Sequence, residues 1–369
     1  MPRSIDPRRR LTPMDHWQPN DRALWQAAMT ARAQPLSTHS HARILRDATI
    51  EKAARGYGRW ITFLHVRDDL DAHARPSARV TPERLNAYFA ELLAHGNADH
   101  TVVGRIAELA SALRILEPRG DHRWILNPGG APLREHLAMH RRAVPLHHPV
   151  DLFLWGLDLM EQARAIQALD RRGPQLRDGL LIAIEALRGL RLRSVHSLVL
   201  GRSILRDPDT GCWRLDIPPE DVKNHRRIAG EITGILHPWL DRYVAVERAE
   251  MLAGRACDAF WVTARGMPLS AIGLTAALAT RSAARFGADR AFRSHRFRHC
   301  LGSTLPLLVP EHPHLTSQLL AISHGVAAGH YDRSADVLAF RRYHAALDAE
   351  RERHRLPAMT RASREDEAA

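Results

Sequence analysis

The chain has 369 residues, 45% of them hydrophobic, which is enough for two folded domains, each with its own core. No apolar run approaches the roughly 20 residues that cross a bilayer. The N-terminus lacks the apolar segment of a secretory signal, and three cysteines are too few for a disulfide framework. We therefore expect a cytoplasmic protein without a membrane partner, and a formal net charge of +12, supplied mainly by arginine, predicts a nucleic-acid partner.

The first third of the chain is predicted to be helical. Residues 1–37 are rich in Arg, Pro and Asp, and we interpret them as an N-terminal extension that is partly helical from Asp21. Apolar residues then recur at near-helical spacing to about Leu116. Within this region Thr81 and Pro82 predict the start of a helix, as an N-cap residue followed by proline in the first turn. The pattern indicates a small all-α domain.

A proline- and glycine-rich break beginning at Asn127 separates this region from the second half of the chain. Helical segments resume at 151–169 and 175–187. Gly189 is expected to end the second of these helices, and Arg191 is expected to lie in the turn just after it.

A short hairpin is predicted after this turn. Two β-like runs, 213–217 and 227–232, flank a polar segment that carries Lys223. Lys223 is therefore expected near the tip of a β-hairpin, and the chain beyond it is again predicted to be helical.

The region around His295 has a two-faced helical pattern. His295, Arg298 and His299 have the spacing of neighbours on one helix face, whereas Phe297 and Leu301 fall on another face that suits burial. A polar face of this kind can hold cationic donors against an anion. A solvated basic helix is the alternative interpretation.

The order of these motifs resembles that of the tyrosine recombinases, the phage-integrase family, over roughly residues 38–345. The matching residues are Arg191 in the first catalytic-arginine motif, Lys223 on the hairpin, His295 and Arg298 in the His-x-x-Arg motif, His324 in the motif that is Gly-His in the family, and Tyr331 as the nucleophile.

The resemblance implies a mainly α fold. It consists of an N-terminal helical core-binding (SAM-like) domain and a mainly helical tyrosine-recombinase catalytic domain with a small antiparallel β-sheet. The expected boundaries are an N-terminal extension at 1–37, the core-binding DNA domain at 38–128, a linker at 129–150, the catalytic domain at 151–355 and a flexible tail at 356–369.

The resemblance also implies a site-specific recombinase or integrase, for example of a mobile element. Such an enzyme cuts and rejoins double-stranded DNA through a 3′-phosphotyrosyl intermediate formed by Tyr331. The reaction needs no metal, ATP or other cofactor, because religation is the same reaction reversed. The family acts as a homotetramer on two DNA sites, so this assembly is expected here.

Roles for the other matching residues follow from the same resemblance. Arg191 and Arg298 would hold the two non-bridging oxygens of the phosphate as preorganised electrostatic stabilisers. Lys223 would donate a proton to the departing 5′ oxygen. His295 would assist proton transfer, and His324 would hydrogen-bond the phosphate or orient its neighbours.

Two positions depart from the family pattern. Ser194 stands where the family often has glutamate, three residues after Arg191, and Tyr331 follows His324 by only seven residues, closer than is common in the family. Because of the shortened spacing, one alternative is a catalytically inactive DNA-binding protein of the same fold. A type IB topoisomerase-like relaxing enzyme is the other alternative, and Tyr343 is the second candidate nucleophile.

Each assignment also has a purely structural alternative. Arg191 could be a helix-end cation stabilised by the helix dipole, Lys223 could contact phosphate non-specifically, and His324 could be a partly buried histidine with satisfied hydrogen bonds. Two pairs of histidines have helical i, i+4 spacing, but neither pair has the glutamate of a His-Glu-x-x-His site. No metal site is therefore predicted.

Overall fold

The computed structural model describes residues 6–34, 40–139, 146–312 and 314–327. The chain divides into two compact units, Met1–Ala143 and Val144–Ala369. Within the described ranges, no helix is long and apolar enough to cross a membrane.

The regular secondary structure of the first unit is entirely helical in its described residues. Its helices are α1 (Pro19–Ala33), α2 (Asp47–Val66), α3 (Pro82–Ala94) and α4 (Asp99–Leu116), joined by short 3-10 turns. The predicted start of α3 is confirmed, since the side chain of Thr81 accepts a hydrogen bond from the backbone N–H of Arg84 at 3.3 Å.

The core of the first unit includes part of the N-terminal segment. Trp17 and Trp25 are each only 3% exposed, and Trp17 packs edge-on against both Trp25 and Tyr57. Asp21 forms a fully buried ion pair with Arg79 at 2.6 Å and accepts a hydrogen bond from the Tyr57 hydroxyl at 2.8 Å. The segment expected to be an extension therefore supplies core side chains, because their partners lie on α2 and on the turn before α3.

The second unit is mainly helical. Its helices are α5 (Pro149–Arg164), α6 (Leu169–Arg188), α7 (Leu192–His196), α8 (His237–Arg242), α9 (Arg248–Leu252), α10 (Ala271–Phe286), α11 (His295–Leu308), α12 (Leu315–Leu319) and α13 (His324–Val326). A π-helical turn, Tyr243–Glu247, joins α8 to α9.

A small antiparallel sheet completes the second unit. Its strands are β1 (Ile204–Arg206), β2 (Trp213–Ile217) and β3 (Ile228–Glu231), in the order β1-β2-β3. The predicted hairpin is confirmed as β2 and β3, whereas β1 was not predicted, because its three residues are too few for an alternating pattern. The predicted fold class, mainly α with a small antiparallel sheet, is confirmed.

Close packing of α5 on α6 fixes the part of the core that leads to the candidate site. A Cβ atom on Gly156 would lie 2.8 Å from the carbonyl oxygen of Gly179, so the two helix backbones approach more closely than any side chain would permit. The middle of α6, from Leu180 to Ala186, is buried. Its C-terminal end is therefore held firmly where the candidate site begins.

Candidate active site

The turn between α6 and α7 carries Arg191. Gly189 ends α6 in the left-handed conformation, with φ of 49°, as the sequence predicted for the end of this helix. A Cβ atom at this position would lie 3.1 Å from the side chain of Leu320 and 3.3 Å from the Cα of Arg298. The turn thus packs directly against α11, and Arg191, half-buried, lies at the N-cap of α7.

Two hydrogen bonds hold this turn against the beginning of α11. Arg298 Nη1 donates to the carbonyl oxygen of Gly189 at 2.5 Å, and the Ser294 hydroxyl donates to that of Leu190 at 3.4 Å. Both acceptors immediately precede Arg191 in the chain. The backbone of Arg191 is therefore positioned by α11.

Arg298 lies deeper than the sequence indicated. His295 and His299 do share a face of α11, with ring centroids 4.7 Å apart, and Phe297 is fully buried on the apolar side as predicted. Arg298, expected on the polar face, is only 1% exposed. Its guanidinium can be buried because Nη1 and Nη2 donate to backbone carbonyls, the second to Leu320 at 2.9 Å.

His295 is exposed and lies within the field of three arginines. Partial loss of hydration of the ring lowers the pKa of His295, and the positive charges of Arg298, Arg191 and Arg296 lower it further. The imidazole is therefore neutral near pH 7 and can accept a proton. The hydrogen bonds from Arg298 to Gly189 and from Ser294 to Leu190 bring the start of α11, with His295, next to the turn that carries Arg191.

The loop between β2 and β3 presents Lys223, which is exposed. The Ser194 hydroxyl, on α7, donates to the carbonyl oxygen of Asp221 at 3.2 Å. On the other side of the loop, Asn224 Nδ2 donates to the carbonyl oxygen of Ala321. Ser194, at the position where the family often has glutamate, thus helps to fix the loop that carries Lys223.

Glu185 is a buried carboxyl group that the sequence reasoning missed. It lies on α6, has no exposed surface, and its Oε2 is 3.3 Å from the Ser294 hydroxyl, whose single proton it shares with the carbonyl oxygen of Leu190. No described residue provides a hydrogen-bond partner for its Oε1. Burial raises the pKa of Glu185 well above its usual value, although the positive charge of Arg298 acts in the opposite direction. The available sequence signal was a single acid inside the apolar run 180–186.

The remaining predicted site residues lie at or beyond the end of the described chain. His324 is the first residue of α13. Tyr331 and Tyr343 lie outside the described residues, so both candidate nucleophiles stay predictions from the sequence. Among the residues that the structure describes, no group of three or more His, Cys, Asp or Glu side chains is placed to hold a metal ion.

Neither a protein-family model nor a curated protein matches the sequence. Among solved structures, the XerH site-specific recombinase bound to a palindromic difH substrate, in a post-cleavage complex, is similar with a TM-score of 0.53 and 12% identity; the match covers 89% of this chain and 98% of that chain. A pre-cleavage complex of XerH with difH matches with a TM-score of 0.51 and 12% identity, over 89% of this chain and 99% of that chain. The chain therefore has the tyrosine-recombinase fold, and the resemblance drawn from the motifs is confirmed at the level of the fold.

Proposed function

We propose that the protein is a site-specific DNA recombinase that cuts and rejoins double-stranded DNA through a 3′-phosphotyrosyl intermediate. The observation that carries the proposal is the closeness of Arg191, His295 and Arg298 where α6, α7 and α11 meet. The Lys223 loop is bound to α7 and to the turn before α13, next to the same junction. A net charge of +12 supports DNA as the partner.

In this proposal the arginines stabilise charge that develops on the phosphate. Arg191, half-buried at the start of α7, would bind a non-bridging oxygen with paired N–H donors, and Arg298 would place its charge behind the same phosphate. His295, whose pKa is lowered, would take the proton of the attacking hydroxyl or pass it to a neighbour. His324 would hydrogen-bond the phosphate from the start of α13.

The choice of lysine at position 223 supports its role as general acid. Of the 53 Lys and Arg residues in the chain, only Lys52 and Lys223 are lysines. Arginine keeps its proton at any physiological pH, whereas an ammonium group can release one. Arg226 and Arg227 stand beside Lys223, so simple attraction of phosphate would not require a lysine in this loop.

Replacing Lys223 by arginine separates proton donation from charge. Lys223→Arg keeps the charge, so it is expected to bind DNA normally and to cleave an ordinary substrate on the order of 10²–10⁴-fold more slowly, the usual contribution of general acid catalysis. In a substrate with sulfur in place of the bridging 5′ oxygen, the leaving group is a thiolate, which departs without being protonated. We expect Lys223→Arg to cleave this substrate at nearly the parental rate. Lys52→Arg, the same exchange at the other lysine, should cleave both substrates normally. Slow cleavage of the sulfur substrate by Lys223→Arg would contradict the general-acid role.

The nucleophile is tested by trapping the covalent adduct on a suicide substrate. Tyr331→Phe is expected to form no adduct while binding DNA normally, because only one hydroxyl is lost. Tyr343→Phe is the matched control and should form the adduct at the parental rate. Peptide mapping that finds the phosphotyrosine at Tyr343, or full activity of Tyr331→Phe, would overturn the assignment.

The second candidate function is DNA binding without cleavage. It is favoured by the burial of Arg298, whose guanidinium donates to two backbone carbonyls, and by the short spacing from His324 to Tyr331. Parental protein that binds duplex DNA but yields no adduct on the suicide substrate would establish this function. The recombinase proposal further implies a homotetramer on two DNA sites, which the mass of the protein–DNA complex in solution would test.

A further inference from the structure

A cavity of about 170 Å³ lies in the first unit, lined by the N-terminal 3-10 turn and by α2, α3 and α4. We name it the arginine cavity after four of its lining residues, Arg8, Arg9, Arg59 and Arg105. Glu91 is the one carboxylate in the described lining. Since a water molecule occupies roughly 30 Å³ in the liquid, the cavity can hold something larger than a single water.

Two buried polar atoms at this cavity have no hydrogen-bond partner among the described residues, the hydroxyl of Tyr88 and Nε2 of His95. Tyr88 is only 3% exposed, and its ring is held by Trp60 and Phe63, at centroid distances of 5.3 and 5.0 Å. Buried polar groups in native proteins are nearly always hydrogen-bonded. These two atoms therefore have room for a hydrogen-bond partner from outside the described residues.

The charges around the cavity favour an anion. Arg59 and Arg105 share one carboxylate oxygen of Glu108, at 2.7 and 3.2 Å, so two guanidinium groups lie beside a single acid. Loss of hydration and the charge of Arg105 lower the pKa of Arg59. Burial raises the pKa of Tyr88 to about 12, so its hydroxyl keeps its proton at neutral pH and can donate it in a hydrogen bond.

We propose that the arginine cavity binds a phosphate group, with Arg59, Arg105 and Tyr88 among its donors. Guanidinium groups bind phosphate oxygens through paired N–H donors. The three side chains come from three different helices, and a tetrahedral oxyanion accepts hydrogen bonds from that many directions. The phosphate belongs either to the backbone of bound DNA or to a free ligand, and the two sources give different results in solution.

Binding of a free phosphate is tested on the full chain with inorganic phosphate. Tyr88→Phe removes only the unpartnered hydroxyl, so in chloride its unfolding temperature should equal that of the parent. In phosphate at the same ionic strength, only the parent should become more stable. The affinity for phosphate, measured by calorimetry, should fall at least about tenfold in Tyr88→Phe and in Arg105→Gln, because each variant loses a hydrogen bond to a charged group. Arg114→Gln, on the same helix as Arg105 but outside the cavity lining, should bind phosphate like the parent.

Occupation by a DNA phosphate is tested with duplex DNA at fixed salt. Because Tyr88→Phe changes no charge, a lower duplex affinity in this variant assigns the phosphate to DNA, and Arg105→Gln should then also reduce the salt slope by about one. Stabilisation by inorganic phosphate with unchanged duplex affinity assigns a free ligand. If inorganic phosphate neither binds nor stabilises the parent, and Tyr88→Phe binds duplex normally, the cavity holds water only and the proposal is wrong. No cleavage is measured, so the result is independent of the proposed recombinase activity.

Discussion

Gly189→Ala is expected to destabilise the second unit and to stop the DNA cleavage proposed for this protein. The left-handed conformation of Gly189, with φ of 49°, costs a residue with a Cβ atom roughly 1–2 kcal/mol. The added methyl would also lie 3.1 Å from Leu320 and 3.3 Å from the Cα of Arg298, and overpacking of this kind costs about 1–3 kcal/mol. The free energy of unfolding should therefore fall by about 2–5 kcal/mol. Cleavage should be lost because Arg298 is displaced.

Urea denaturation followed by circular dichroism measures this loss. Gly201→Ala is the matched control, because Gly201 also has a left-handed φ, 80°, but a Cβ atom added there would meet nothing within 4 Å. The control should lose only the backbone contribution, about 1–2 kcal/mol, and should retain cleavage. If Gly189→Ala were no less stable than Gly201→Ala and still cleaved DNA, the close packing of the turn on α11 would be refuted.

Two further substitutions test buried charges. The pKa of Glu185 is raised in the folded protein, so as the pH rises above 4.5 this carboxyl ionises in the unfolded chain before it ionises in the folded one. Its contribution to the free energy of unfolding should therefore fall by about 1.4 kcal/mol per pH unit until the pKa of the folded state is reached. Glu185→Gln should remove this fall, and a pH-independent difference in unfolding free energy between variant and parent would contradict it. Asp21→Asn should cost about 3–5 kcal/mol in thermal unfolding, because Arg79 is left without its buried partner. Replacing the pair together, Asp21→Leu with Arg79→Met, should recover most of that loss, and an unchanged melting temperature in Asp21→Asn would contradict the reasoning.

Local patterns predicted much of the second unit. The end of α6 at Gly189, the hairpin that carries Lys223 and the apolar side of α11 at Phe297 are all set by residues within a few positions of one another. Periodicity and turn chemistry are local signals, so a single sequence contains them.

The rest depended on partners that are distant in the sequence. Trp17 packs against Tyr57 and against Trp25, and no periodic pattern in the first segment reveals those contacts. Arg298 is buried because carbonyl oxygens of Gly189 and Leu320 accept its hydrogen bonds. Every residue has a carbonyl oxygen, so the sequence contains no sign of which ones will meet a guanidinium.

The carbonyl oxygens of Leu320 and Ala321 are neighbours along the chain, and they accept hydrogen bonds from two different parts of the site. Arg298 donates to the first, and Asn224, next to Lys223, donates to the second. Ala321 has a left-handed φ of 48°, a conformation that a residue with a Cβ atom keeps only when its surroundings hold it there. Moving this short segment would remove one hydrogen bond from the Arg298 guanidinium and one from the Lys223 loop at the same time. The roles proposed for Arg298 and Lys223 are therefore coupled through two adjacent peptide units, so a change in this segment is expected to affect both residues.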